Sequence, residues 1–176
     1  MKTQNMTGQS TEQKVQICLE SIGLKAEKPK PDKGVDLKVW DPANPERRVY
    51  VQIKGRGKTQ KNGRYRWFQM RTTKKQRDDA VKDGLPVSEA WRKKVGLCDF
   101  FVLVSEKHQE HWVFPAALIH KIVDLNKSKY GKREDNISGK QTEMDLDVEY
   151  EGKSLTEIYK SYNNNFALIS EKLKST

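Results

Sequence analysis

The chain has 176 residues, enough for one domain with a buried core and too few for two comfortable ones, so 1–176 is read as a single domain. Hydrophobic residues make up 35%, charged residues 33% and aromatics 9%, which excludes a disordered chain; no apolar run approaches the roughly 18 residues of a membrane span. Net charge is +10, yet Arg47 to Arg77 holds twelve Lys or Arg and no Asp or Glu, so subtracting twelve from +10 leaves −2 for everything else. The basicity is one patch, which excludes a spread solubility device and suits a polyanion such as nucleic acid. Cys18 and Cys98 match no disulfide framework or zinc spacing and read as core residues of a protein in the reducing cytoplasm. The polar start "MKTQNMTGQS" carries no export signal.

In chain order, "STEQKVQICLESIGLKAEK" predicts a helix with Ser10 and Thr11 as N-caps and an apolar face of Val15, Ile17, Cys18, Leu19 and Ile22, ending near Gly23. "GVDLKVW" and "RRVYVQIKG" are rich in β-branched and aromatic residues and flank "DPANPE", a two-proline turn, so they predict a β-hairpin. The basic, glycine-containing "GKTQKNG" reads as a mobile loop, and "RYRWFQMRT" as a third strand extending the same sheet. "TKKQRDDAVKDGLPVSEAWRKKVGL" predicts short helices interrupted at Gly84 and Pro86. "CDFFVLVS" is a continuous apolar run, expected to be the central strand covered on both faces. "WVFPAALI" predicts a further strand ended by Pro115; residues 124–152 have no clear period; "SLTEIYKSYNNNFALISEKLK" predicts one closing helix. The order implies an α/β fold with a mixed sheet.

The second strand of the hairpin carries the chemistry. Gln52 and Lys54 are two apart and share one face, with Val51 and Ile53 on the other. Pairing with the first strand brings Asp36 beside Gln52, an oxygen-rich corner with an ammonium next to it. Such hard oxygen donors suit Mg²⁺. Downstream, "GRYRWFQMRTTKKQR" interleaves aromatics with cations. Arg56, Lys58, Lys61, Arg64, Arg66, Trp67, Arg71, Lys74, Lys75 and Arg77 are the candidate nucleic-acid contacts.

This constellation resembles the PD-(D/E)xK nuclease superfamily over residues 10 to 120. The resemblance implies a restriction-endonuclease-like fold, a mixed central β-sheet flanked by helices. The motif aspartate falls on Asp36, the acidic position on Gln52 and the lysine on Lys54; the Ile53 carbonyl is the implied backbone ligand. The literal Pro31-Asp32 lies before the strand and is set aside. Glutamine at the acidic position departs from the pattern, although Gln-x-Lys members occur, a homing endonuclease among them. A helical glutamate in a pattern like that of the resolvase members falls on Glu12, with Glu20 as the fallback. The implied metal ligands are Asp36, Ile53, Glu12 and Gln52, and the implied catalytic residues are Asp36, Gln52, Lys54 and Glu12. Mg²⁺ is the implied cofactor, with Mn²⁺ able to substitute. The implied activity is site-specific cleavage of double-stranded DNA, of restriction or homing type, by a homodimer or higher homo-oligomer. A structure-selective junction nuclease and a non-catalytic DNA-binding module on a degenerate nuclease fold are the alternatives.

Other motifs carry less. His108, His111 and His120 include an i, i+3 pair in "HQEH" but no third zinc ligand. "GRGKTQKNG" lacks the spacing of a phosphate-binding P-loop.

Overall fold

Alternating apolar residues in β2 (Leu37–Asp41) and β3 (Asn44–Arg56) build the expected hairpin, in which Leu37 faces Val51 and Val39 faces Val49. The computed structural model describes residues 2–31 and 34–175, with side chains from residue 11 onward; Asp32 lies outside the described residues. The hairpin turn is tighter than "DPANPE" suggests. Asp41 Oδ1 accepts the Ala43 N–H at 2.9 Å, and β3 already begins at Asn44. Asp36 sits one residue before β2 rather than within it.

Around this hairpin lies a five-stranded sheet with the order β1 (Lys25–Glu27), β2, β3, β5 (Phe100–Ser105), β6 (Glu110–Pro115). Only β3 and β5 run parallel; the other neighbours are antiparallel. A parallel pair needs a long crossover, and residues 57–99 supply it. β3, not β5, is the middle strand, although β5 is buried along its whole length as its apolar run requires.

The expectation that the third strand extends the main sheet is overturned. β4 (Trp67–Arg71) does not extend the main sheet; it pairs antiparallel with β7 (Gln141–Asp145) in a separate ribbon. Both edges of β3 are already taken, by β2 and β5, so the third strand has to find its partner elsewhere. Residues 124–152, which show no clear period, hold the end of α4 (Ala116–Tyr130), then α5 (Glu134–Ile137), β7 and the short β8 (Glu149–Tyr150), which pairs with β9 (Lys153–Ser154). The strand of "WVFPAALI" ends at Pro115 as expected, and Ala116 opens a helix.

The helices complete two layers. α1 (Lys2–Ser21) starts well before Ser10 and Thr11, so neither is an N-cap. α2 (Lys74–Lys82) and α3 (Trp91–Val95) are separated at Gly84 and Pro86 as expected, with a 3-10 turn over Val87–Glu89. Thr73 and Gln76 form a reciprocal capping box at the start of α2. The closing segment is not one helix but α6 (Leu155–Ile158) and α7 (Ala167–Lys174), interrupted at the asparagine run. Asn164 takes a left-handed conformation, and its backbone N–H and side-chain oxygen are both bonded to His111. Asparagine favours such local backbone bonding over continued helix.

Each face of the sheet has its own core. α1 and α7 cover one face, where Val15, Leu19, Val51, Ile53, Val102 and Ile169 meet. On the other, Phe68, Trp91, Phe101, Phe114, Ile119 and Met144 pack beneath α3, α4 and the β4–β7 ribbon. Cys98 belongs to this second core, and Cys18 packs against the first.

Candidate active site

The alternation of β3 divides its residues between the two cores. Val51 and Ile53 face the first, and Gln52 and Lys54 point toward the second layer. That second side is not open to water at Gln52, which is only 3% exposed. Asp36 lies across from it. The Asp36 N–H donates to the Val51 carbonyl at 3.0 Å, and its Oδ2 accepts the Ile53 N–H at 2.6 Å. The Gln52 Nε2 amide donates to the same carboxylate oxygen. The adjacency expected of Asp36 and Gln52 is therefore present, fixed by hairpin register.

Gln52 Oε1 is left buried with no hydrogen-bond partner. A buried acceptor without a donor costs about 1–3 kcal/mol, a cost that a cation or donor at this atom would offset. The second carboxylate comes from α1. Burial, and after it the negative charge of Asp36, push the Glu12 carboxyl above its ordinary value; Lys28 and then Lys54 pull it partly back. Glu12 thus shares a field with Asp36 and Lys54. Glu20 does not take this place: it accepts the Gln16 amide at 3.0 Å, on the exposed side of the helix.

Gly55 lets α1 come this close. A Cβ there would stand 2.8 Å from Thr11 Oγ1 and 3.0 Å from its Cγ2, so only glycine fits under the residue that precedes Glu12. Among the described residues no group of three or more His, Cys, Asp or Glu could hold a metal ion. Two carboxylates, from Asp36 and Glu12, and the unpartnered Gln52 amide oxygen are nonetheless hard oxygen donors of the kind Mg²⁺ takes while keeping several waters. The residues present fit such an ion.

The raised Glu12 carboxyl makes a stability prediction. Folding favours its protonated form, so the metal-free protein loses stability as pH rises from the ordinary glutamate range through the higher value of Glu12. Glu12→Gln removes that charge. In EDTA at about pH 8 the variant should melt at or a few degrees above wild type, the gap closing near pH 4. A variant that melts lower at both values would contradict the assignment.

Lys54 opens onto a cavity of about 360 Å³ shared with Arg56, Trp67, Gln69, Arg71 and Lys94. Lys94, on α3, gave no signal in the sequence, where it is one more lysine in a helix. Its Nζ donates to the Arg71 carbonyl at 3.1 Å. Burial, and then the Lys54 charge, push its ammonium below the usual lysine value, while Asp36 and Cys98 oppose the shift. Nearby, burial and then Asp36 push the Cys98 thiol up to about 12, so this cysteine is an inert core residue.

The basic block is divided between inside and outside. Arg66 holds Glu110 with two bonds, at 2.7 and 2.8 Å, and reaches Asp147 at 3.1 Å. Arg64 pairs with Asp145 at 2.7 Å and stacks 3.9 Å from the centre of the Trp67 ring. Trp67 itself is buried. Arg77 donates to the Thr72 carbonyl at 2.8 Å. Lys74 and Lys75 pair with Asp78 and Asp79 one turn along α2, exposed pairs that are easily exchanged for another anion. Lys58, Lys61 and Arg71 are exposed, and Arg56 lies over the Trp67 ring, 5.0 Å from its centre. Sequence could not separate these groups, because the balancing carboxylates Asp145 and Glu110 lie far along the chain.

The histidines do not converge. His111 Nδ1 meets Asn164 Oδ1 at 3.1 Å, His120 Nδ1 meets Arg92 at 2.8 Å, and His108 packs edge-on against Tyr65.

Among solved structures the chain is similar to that of a bacterial homing endonuclease, I-Ssp6803I, with a TM-score of 0.53 and 17% identity over 97% of this chain and 94% of that one. At this identity the likeness is one of fold, and it extends over nearly the whole of both chains. No protein-family model and no curated protein sequence matches the chain. No described helix is long and apolar enough to cross a membrane.

Proposed function

We propose that the protein is a metal-dependent DNA endonuclease of the PD-(D/E)xK kind, a variant in which Gln52 stands at the second acidic position. The carrying observation is the corner formed by Asp36, the buried Gln52 amide and Glu12, with Lys54 two residues along the same strand face. The fold shared with a homing endonuclease supports the same reading. Site-specific cutting of duplex DNA, of restriction or homing type, is the reading preferred over a junction-selective enzyme. Two strands require two sites, so a symmetric dimer or higher homo-oligomer is the expected working form.

Asp36, Glu12, Gln52 Oε1 and the Ile53 carbonyl would hold Mg²⁺, with Mn²⁺ as a substitute. When bound, the ion supplies Lewis acidity to the scissile phosphate and acidity to the attacking water. The Ile53 N–H and the Gln52 amide hold Asp36 in one orientation. Lys54 donates to a non-bridging phosphate oxygen as negative charge builds there, and the low-dielectric surroundings strengthen that interaction. Lys54 also orients the attacking water. The outward cations of the basic block neutralise neighbouring phosphates.

Purified protein, incubated with sequence-diverse duplex DNA and Mg²⁺, should release discrete fragments that EDTA prevents. Lys54→Ala should slow cleavage by about a hundredfold to ten-thousandfold without lowering the melting temperature, since the side chain is only half-buried. Uncut duplex together with tight binding would favour the non-catalytic reading, for which the Gln52-to-Asp36 bond is the specific observation. Branched DNA is the substrate that separates the junction-selective enzyme.

A further inference from the structure

The cavity beside Lys54 concentrates charge in a way that folding alone does not reward. Lys54 and Arg56 from β3, Arg71 from β4 and Lys94 from α3 line one space of about 360 Å³, and among the described residues no Asp or Glu lines it. Elsewhere the same protein neutralises its arginines with carboxylates, as at Arg64 with Asp145 and Arg66 with Glu110. Cations from three separate elements repel one another here, with Lys54 depressing Lys94 and only Asp36 and Cys98 opposing that shift from outside the cavity, and proteins keep such conflicts where a ligand relieves them. The lining also contains Gln69, a donor-bearing amide that suits a phosphate oxygen.

We propose that this cavity seats a backbone phosphate next to the one that is cut, and that Lys94, with Arg71, is its binding residue. This deepens the nuclease reading and rests on it for the cut phosphate, but the anion seat itself is defined by the cavity. Lys94 Nζ donates to the Arg71 carbonyl at 3.1 Å, which uses one of its three donors and leaves two for a phosphate. Burial and the Lys54 charge both oppose its ionisation, and a phosphate placed between the two lysines offsets both effects. The short α3 is held at its base by Trp91 and Val95 in the second core, so Lys94 approaches the site on a rigid support.

The test uses a fluorescent 40-base-pair duplex of random sequence in EDTA, so that no turnover occurs, titrated at several salt concentrations. Each phosphate contact contributes about 0.9 to the slope of log K against log salt. Lys94→Met should reduce the magnitude of that slope by about 1, Lys94→Arg should keep it, and Lys172→Met, on α7 across the sheet, should leave it unchanged. Amine acylation of the wild-type protein, read by mass spectrometry, should show Lys94 protected by the duplex. An unchanged slope in a folded Lys94→Met, or equal acylation of Lys94 with and without DNA, overturns the proposal; if the variant does not fold, the acylation result decides. A slope change in a protein that cuts nothing retains the phosphate seat and removes the nuclease reading. Cleavage without the slope change or protection removes the seat alone.

Discussion

Asp36→Ala should abolish cleavage and weaken the fold at the same time. Its carboxylate accepts both the Ile53 N–H and the Gln52 amide, and Gln52 is buried. Removing the acceptor leaves donors unpaired in the protein interior, an expected loss of about 1–3 kcal/mol. For a chain of this size that lowers the melting temperature by roughly 2–4 °C per kcal/mol. Asp36→Asn separates the two effects. Its amide keeps one oxygen acceptor of the same shape, so most of the stability should return while cleavage stays down by about a thousandfold or more, a loss of roughly 4 kcal/mol in transition-state stabilisation. Thermal melts and single-turnover cleavage of the three proteins, side by side, make the comparison. Full activity in the folded asparagine variant would remove Asp36 from the site.

Gly55→Ala is the second large effect, and it acts on a residue that touches no substrate. The added methyl would lie 2.8 Å from Thr11 Oγ1 and 3.0 Å from Cγ2, closer than packed atoms allow. Either α1 lifts from β3 or the strand shifts, at a cost of about 1–3 kcal/mol. Because Glu12 follows Thr11 directly, the same shift carries the second carboxylate away from Asp36. Cleavage should therefore fall by more than the stability loss accounts for, and more Mg²⁺ should be needed to restore it. Thr11→Ala removes both of the nearest atoms. The double variant should be less destabilised than the sum of the single ones, a coupling measurable by denaturant melts. Additive losses would show that the helix does not bear on Gly55.

Much of the chemistry was legible because it is local. Gln52 and Lys54 share a face by the two-residue period of a strand, and the hairpin needs only a short turn to bring Asp36 to Gln52. The apolar run of β5 and the punctuation at Gly84 and Pro86 are also short-range signals; they give a fully buried strand and the break between α2 and α3, while the position of β5 beside the middle strand rather than at it is a matter of sheet order. Glu12 is reached through resemblance; nothing in the helix pattern distinguishes it from Glu20, and only the packing of α1 against β3, with Thr11 over Gly55, puts it in the field of Asp36 and Lys54.

What escaped the sequence depends on partners far along the chain. The alternation in "RYRWFQMRT" specifies a strand but not its neighbour, and the edges of β3 were already occupied. "QTEMDLD" lies in the stretch with no clear period, and its Glu143 and Asp145 are buried where Arg133 and Arg64 reach across to them. For the same reason the basic block could not be divided in advance into cations that serve the fold and cations free for phosphate. Lys94 is the sharpest case, an ordinary helical lysine until α3 is packed beside β3 and β4. Local periodicity set strand faces and the motif within them; the choice of long-range partners, made by burial and charge balance, set which charges remain available at the site.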